Sequence, residues 1–147
     1  MKRMQYFKYG NPEELSLADV DQPTPGRGQI LVQVKAASVN PMDWKIRRGE
    51  MKMMSGSHFP RGLGHDFSGV VDAVGLDVKQ YKVGDEVFGA ATIRQAGAFA
   101  EYVVANTKTV ALKPSNRAGS VCLNSFRAVA KWIPASVRLP SGLMTAH

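Results

Sequence analysis

The segment QILVQVKA at residues 29–36 alternates polar and apolar side chains and is rich in β-branched residues. Alternation with this period is typical of a strand that has one face in a core and the other in solvent. The segment PTPGRG at 23–28 precedes it and supplies the prolines and glycines that separate elements. We therefore predict a half-buried β-strand over 29–36.

Further short β-rich segments follow along the chain. FSGVVDAVG at 67–75 has glycines where strands bend or bulge, and YKVGDEVFG at 81–89 turns into another strand. Segments 98–105 and 109–112 complete the set. Because almost no helix is expected before residue 115, we predict a mainly β fold with short helices, arranged as an irregular antiparallel β-barrel.

One short helix is predicted after Val39. Asn40 suits the N-cap, Pro41 suits the first helical position, and Asp43 is favourable near the positive end of the helix dipole. The missing N–H of proline costs nothing at that position, because it would have no partner there. We expect this helical turn to extend to Arg48.

The composition is that of an ordinary globular protein, with 147 residues, 44% hydrophobic and 21% charged. No apolar run approaches the roughly 20 residues of a membrane helix, so no membrane association is expected. Cys122 is the single cysteine, which excludes an internal disulfide and favours a reducing cytoplasm. The net charge of +7 suggests nucleic-acid binding, but acids interleave with bases outside the acid-free segment 117–147, as on a solvated surface.

Four motifs occur in order along the chain: ASVNPMDW, GHDFSGVV, VGDEV and GAFAEY, beginning at residues 37, 64, 83 and 97. Together they resemble the GroES-like N-terminal catalytic domain of the medium-chain dehydrogenase/reductase superfamily. The resemblance is closest to the zinc-independent quinone oxidoreductase, zeta-crystallin-like branch. It implies a GroES-like domain over 1–116 that takes part in NADPH-dependent reduction of quinones, enones or similar small carbonyls.

The resemblance also bears on metal binding. Zinc alcohol dehydrogenases of the superfamily have a cysteine where Asn40 stands, a serine or threonine near Met42, and a histidine that matches His65. Only the histidine is retained here, whereas a catalytic zinc needs three protein ligands. No cysteine-rich structural zinc lobe lies between Gly89 and Ala98. We therefore predict no metal site.

The resemblance places the reactive groups at the start of the predicted helix. In quinone reductases the matching asparagine lies beside the nicotinamide, so Asn40 is a catalytic and cofactor-binding candidate, with Pro41 and Met42 as further cofactor contacts. Relatives often carry a tyrosine five positions on, where this chain has Lys45. A lysine in a partly desolvated cleft can donate a proton, and the alternative is a solvent-facing amine on an amphipathic turn.

Three further residues of these motifs are interpreted from their positions. His65, also a catalytic candidate, is interpreted either as a polar wall of the substrate pocket or as a neutral histidine satisfied by neighbours under the cleft. Asp66 is expected to brace backbone or a basic neighbour. Trp44 either lines the cleft or anchors the helix.

Relatives continue into a Rossmann domain, whose Gly-rich turn receives the cofactor pyrophosphate. No Gly-x-Gly-x-x-Gly follows residue 116, so we expect that domain to be absent and this chain alone to bind NADPH weakly or not at all and to be inactive. Segment 117–147 is interpreted as a divergent basic tail. An amphipathic helix over 120–133 is predicted there from the spacing of Cys122, Phe126, Val129 and Ile133.

Two alternative functions remain open. One is a noncatalytic barrel that acts as an interaction module. The other is weak RNA binding, with which zeta-crystallin-like relatives have been associated. The interleaved acids and the lack of an aromatic-basic motif make nucleic acid the weaker expectation. The partner expected from the resemblance is a small quinone or carbonyl substrate. The resemblance also allows a homodimer.

Overall fold

The computed structural model describes residues 1–94 and 96–114, so the tail 117–147 and its predicted helix over 120–133 lie outside the described residues. The strands are β1 Lys2–Tyr6, β2 Ser16–Asp19, β3 Gln29–Ala37, β4 Arg61–Gly62, β5 Asp66–Val74, β6 Glu86–Ala90, β7 Tyr102–Asn106 and β8 Val110–Leu112. The helices are α1 Pro41–Arg48 and α2 Lys52–Ser55, with 3₁₀ turns at Pro12–Glu14 and Thr107–Thr109. No helix of this described part is long and apolar enough to cross a membrane.

A five-stranded antiparallel sheet carries the core, in the order β7-β3-β5-β6-β8. The strand predicted over 29–36 is confirmed as β3, which pairs with β7 on one side and β5 on the other. Ile30, Val32 and Val34 bury the predicted apolar face, and Leu31 on the opposite face is also buried. The first half of β3 is therefore buried on both faces, whereas its second half is half-buried as predicted, with Lys35 exposed on the outer face.

The sheet curls into a half-barrel, which confirms the mainly β, GroES-like antiparallel fold. Two register shifts interrupt the pairing of β3 with β5, and such bulges increase local twist. Gly69 lies opposite Val34 at the second shift. A Cβ at this glycine would lie 2.0 Å from the carbonyl oxygen of Gln33, so only glycine permits the close approach of the two strands.

The strand predicted over 98–105 begins later, at Tyr102. Ala98 donates its backbone N–H to Gly64 O (3.1 Å), and Phe99 donates to Leu63 O (2.9 Å). This segment therefore bonds mainly to the loop before β5, and only Glu101 O still accepts from β3, from the N–H of Val34. An isolated bridge between Arg3 and Ala100 links it to β1, through the bonds Met4 N–H to Phe99 O and Glu101 N–H to Lys2 O.

A smaller antiparallel sheet, in the order β2-β1-β4, has no counterpart among the predicted strands. Tyr6 at the end of β1 is fully buried. Its ring lies 5.8 Å from that of Phe59, centroid to centroid, in an edge-on arrangement. The small sheet is therefore anchored by aromatic packing next to the loop that leads into β4.

Candidate functional site

Helix α1 begins where the sequence predicts. Asn40 is the N-cap, and its backbone N–H donates to Oδ2 of Asp43, at 2.7 Å. Gly49 ends the helix in the left-handed region with φ of 84°, and its N–H donates to Ile46 O. A glycine is favoured there, because a side chain is strained at positive φ. The helix predicted over residues 40–48 is confirmed to within one residue.

The second oxygen of Asp43 binds His65. Asp43 Oδ1 lies 2.6 Å from His65 Nδ1, and each side chain is only 1% exposed. A carboxylate only accepts hydrogen bonds, so Nδ1 of His65 carries the proton of this bond. The Nε2 atom of the ring is buried and has no hydrogen-bond partner within the described part of the chain. The structure thus places His65 under α1, bonded to the residue that also holds Asn40.

Asp66 fixes the side chain of Asn40. Asn40 Nδ2 donates to Asp66 Oδ2 at 2.6 Å, and Ser38 Oγ donates to the same oxygen at 3.3 Å. Since the carboxylate accepts only, the amide must turn its NH₂ group toward Asp66. Oδ1 of Asn40 then faces away from Asp66, on the side of the Asp43 backbone N–H with which it completes a capping box. The expectation that Asp66 braces backbone or a basic neighbour is wrong, because its partners are a neutral amide and a hydroxyl.

Lys45 lies on the outer face of α1. Its side chain is exposed, and Nζ lies 5.6 Å from the centroid of the Trp44 ring. Arg48 approaches the same ring, with Cζ at 4.9 Å. Pro41 is exposed and Met42 is half-buried at the start of the helix. The structure therefore joins the candidates Asn40 and His65 through two aspartates and does not connect Lys45 to that network.

The donor atoms at this site do not fit a zinc ion. Within the residues described, no three His, Cys, Asp or Glu side chains are grouped so as to hold a metal. His65 provides one imidazole nitrogen, but the Asn40 amide is already bonded to Asp66. A catalytic zinc site needs two further protein ligands beyond a histidine.

Two pairings at the site escape the sequence analysis. Asp43 stands three positions after the N-cap, a spacing typical of a capping box, so its bond to the Asn40 backbone has a local signal. Its pairing with His65 joins residues 22 apart, and the bond of Asn40 to Asp66 joins residues 26 apart. No local pattern specifies either one.

The chain is similar in sequence and fold to known reductases. Residues 26–115 match the alcohol dehydrogenase GroES-like domain family. Quinone oxidoreductase from Sus scrofa is 40% identical over 115 residues, which cover 78% of this chain and 34% of that protein. 2-Methylene-furan-3-one reductase from Solanum lycopersicum is 40% identical over 123 residues, covering 79% and 31% respectively. The structure of Escherichia coli quinone oxidoreductase complexed with NADPH is similar, with a TM-score of 0.71 and 29% identity over 78% of this chain and 34% of that one.

These matches agree on the type of domain. The chain spans about a third of the length of the curated relatives it matches. The residues Asn40, Asp43, His65 and Asp66 are together called the Asn40 network. The matched residues include α1, this network and the whole five-stranded sheet. The chain therefore belongs to the alcohol dehydrogenase GroES-like domain family, in the quinone oxidoreductase, zeta-crystallin-like branch of the medium-chain dehydrogenase/reductase superfamily.

Proposed function

We propose that this chain provides the substrate half of the active-site cleft in an NADPH-dependent reductase of quinones, enones or similar small carbonyls. The observation that carries the proposal is the fixed amide of Asn40. Because its NH₂ group is bonded to Asp66, its Oδ1 atom is oriented as an acceptor, and the capping box uses only one of its two lone pairs. A nicotinamide carboxamide presents N–H donors, which is the chemistry such an acceptor fits.

The names of the relatives support the substrate and cofactor classes. The two sequence relatives are named for quinone and methylene-furanone reduction, and the bacterial relative was solved with NADPH. Bound NADPH would supply the hydride. We propose that Asn40 accepts from its carboxamide, with Pro41 and Met42 forming the adjoining surface. The single cysteine favours a reducing cytoplasm as the place where this reaction occurs.

Reduction by hydride also requires a proton, which the acceptor Oδ1 of Asn40 cannot give. After hydride reaches the carbon of an enone or quinone, the developing enolate or phenolate oxygen must be stabilised and protonated. We propose Lys45 as the donor. Its amine is exposed and forms no ion pair with a carboxylate in the described ranges, so its protons remain available to a substrate.

We propose His65 as a positioning residue, because it is buried and acts through Asp43. The His65 ring holds one oxygen of Asp43, and the other oxygen holds the backbone N–H of Asn40. We further propose that the reaction needs no zinc. Metal analysis of the dialysed chain is expected to find no stoichiometric zinc. One tightly held zinc per chain, lost in His65→Ala, would contradict this.

A chimeric enzyme tests the proposed function. Residues 1–114 replace the matching segment of Escherichia coli quinone oxidoreductase, and NADPH oxidation is followed with benzoquinone and with an α,β-unsaturated ketone. Turnover is expected with at least one of them. The 147-residue chain assayed alone is expected to show negligible oxidation, because holding both reactants in place supplies much of the rate. A folded chimera that binds NADPH but reduces neither substrate would overturn the proposal in favour of a noncatalytic barrel.

A further inference from the structure

A cavity lies between the small sheet and the edge strand β7. Its volume is about 570 Å³, and it is open to solvent on one side. Arg3 of β1, Arg61 of β4 and Arg94 of the loop between β6 and β7 line it, and we call it the arginine groove. None of the four residues of the Asn40 network contributes to its walls.

The charge of the arginine groove is not balanced by protein groups. No Asp or Glu is among the described residues that line it. Its three arginines form no ion pair in the part of the chain that the structure describes. Five other basic side chains each have a carboxylate partner: Lys2, Lys8, Arg27, Arg48 and Lys113. The groove therefore brings three arginines together without a counter-charge from the residues that line it.

Arg61 is the most deeply buried of the three, at 8% exposure. Its terminal nitrogens donate to the backbone oxygens of Ser55, Gly56 and Ile93. These carbonyls accept the N–H groups of the Arg61 guanidinium but do not neutralise its positive charge. Burial raises the pKa of Tyr6 beside Arg61, so that hydroxyl stays neutral and supplies no counter-charge either. A buried, unpaired cation is costly, and an anion in the groove would remove that cost.

Arg3 and Arg94 are better placed to contact a ligand. Arg3 is half-buried and donates one hydrogen bond, from Nη2 to Gln5 Oε1 at 2.7 Å. Its buried Nε has no partner among the residues described. Burial lowers the pKa of Arg3, as expected of a cation that lacks a nearby negative charge. Arg94 is exposed at the rim. Planar guanidinium groups bind phosphate oxygens through paired N–H donors.

We propose that the arginine groove binds a phosphomonoester. Its phosphate would accept from Arg3 and Arg94 and lie in the field of Arg61. The cavity is much larger than a phosphate group, and Pro23, Pro60 and Val103 add an apolar wall to the same cavity. A small organic group attached to the phosphate would pack there. Three cations favour a dianion over a singly charged carboxylate.

Isothermal titration of the intact 147-residue chain at constant ionic strength tests this, with phenyl phosphate as the probe. We expect one site per chain, with weaker binding of inorganic phosphate and benzoate and none of phenol. Arg94→Gln should weaken phenyl phosphate binding about tenfold, the loss of one charge-assisted hydrogen bond. Because Arg94 is exposed, its replacement should leave the unfolding midpoint unchanged.

The matched control is Arg27→Gln, which removes an exposed arginine that is paired with Asp77 elsewhere on the molecule. It should leave phenyl phosphate binding within twofold, whereas Arg3→Met should reduce it like Arg94→Gln. Equal binding of benzoate or inorganic phosphate would overturn the assignment of a phosphomonoester. Absence of saturable binding, or equal losses in the Arg27 and Arg94 variants, would overturn the site itself.

Discussion

The two faces of α1 differ in how their polar groups are partnered. On the inner face, Asp43 is buried and uses both carboxylate oxygens, one for the Asn40 backbone and one for His65. On the outer face, Lys45 and Arg48 are exposed and lie over the ring of Trp44 without a hydrogen bond to it. The inner face is thus fixed by short, buried bonds, whereas the cationic side chains of the outer face are exposed.

The residues that stabilise the helix therefore lie on its inner face, and the proposed proton donor lies on its outer face. Removing the buried carboxylate leaves the Nδ1–H of His65 unpaired, which costs more than an exposed cation–π contact contributes. We therefore expect substitutions on the inner face to destabilise the domain. Substitutions on the outer face should change turnover and leave folding nearly intact.

The largest effect is expected for Asp43→Ala. It removes the helix-start bond to Asn40 and leaves the His65 ring buried without its Nδ1 partner. We expect the free energy of unfolding to fall by about 2–4 kcal/mol, the cost of a lost helix-start bond and an unpaired buried N–H. Urea unfolding of the 147-residue chain, followed by tryptophan fluorescence, measures this change.

Asp19→Ala provides the matched control for that experiment. Asp19 is an exposed carboxylate whose partner is Lys2, at 3.2 Å. Its removal should cost less than about 1 kcal/mol, as is usual for surface ion pairs. If both variants lost the same small amount, the inner face of α1 would not be the fixed element that this comparison assumes.

On the outer face, Lys45→Gln is expected to change turnover and not stability. In the chimeric enzyme we expect turnover to fall about 100-fold, the contribution of a positioned proton donor. The free energy of unfolding should change by less than about 0.5 kcal/mol, because the side chain is exposed. Lys52→Gln, which removes an exposed lysine from α2, should leave both quantities unchanged. Full activity of Lys45→Gln would make Lys45 a solvated amine with no part in the reaction.

The smallest effect is expected for deletion of residues 117–147. We propose that 1–116 form the domain by themselves, since the bonds that fix α1 come from residues 38–66. The deletion should cost less than about 1 kcal/mol of unfolding free energy, measured by the same urea titration. A chain that no longer folds after this deletion would show that the tail is part of the core.

Local signals predicted the elements that they can specify. The alternation over 29–36 and the Asn40, Pro41 and Asp43 pattern predicted β3 and α1, because side-chain period and capping depend on neighbouring residues. The small sheet was missed, because β1 is a short polar segment that becomes a strand by pairing with β2 and β4.

The contacts within the candidate site could not be predicted from the sequence. The family resemblance named Asn40 and His65, but their partners Asp66 and Asp43 became visible only when the fold brought β5 beside α1. Lys45 shows the same limit, because its position in the sequence does not fix whether a flexible side chain faces the cleft or the neighbouring Trp44 ring.

The central claim is that the amide of Asn40, held by Asp66, receives the nicotinamide. The measurement that tests it most directly is kcat/KM for NADPH in the chimeric enzyme with Asn40→Ala. We predict a fall of at least about tenfold, the loss of one oriented hydrogen bond at a reacting group. Leu76→Ala, at a residue 76% exposed in the turn after β5, should leave the value unchanged. An Asn40→Ala enzyme that stays folded and keeps the same kcat/KM for NADPH would contradict the account.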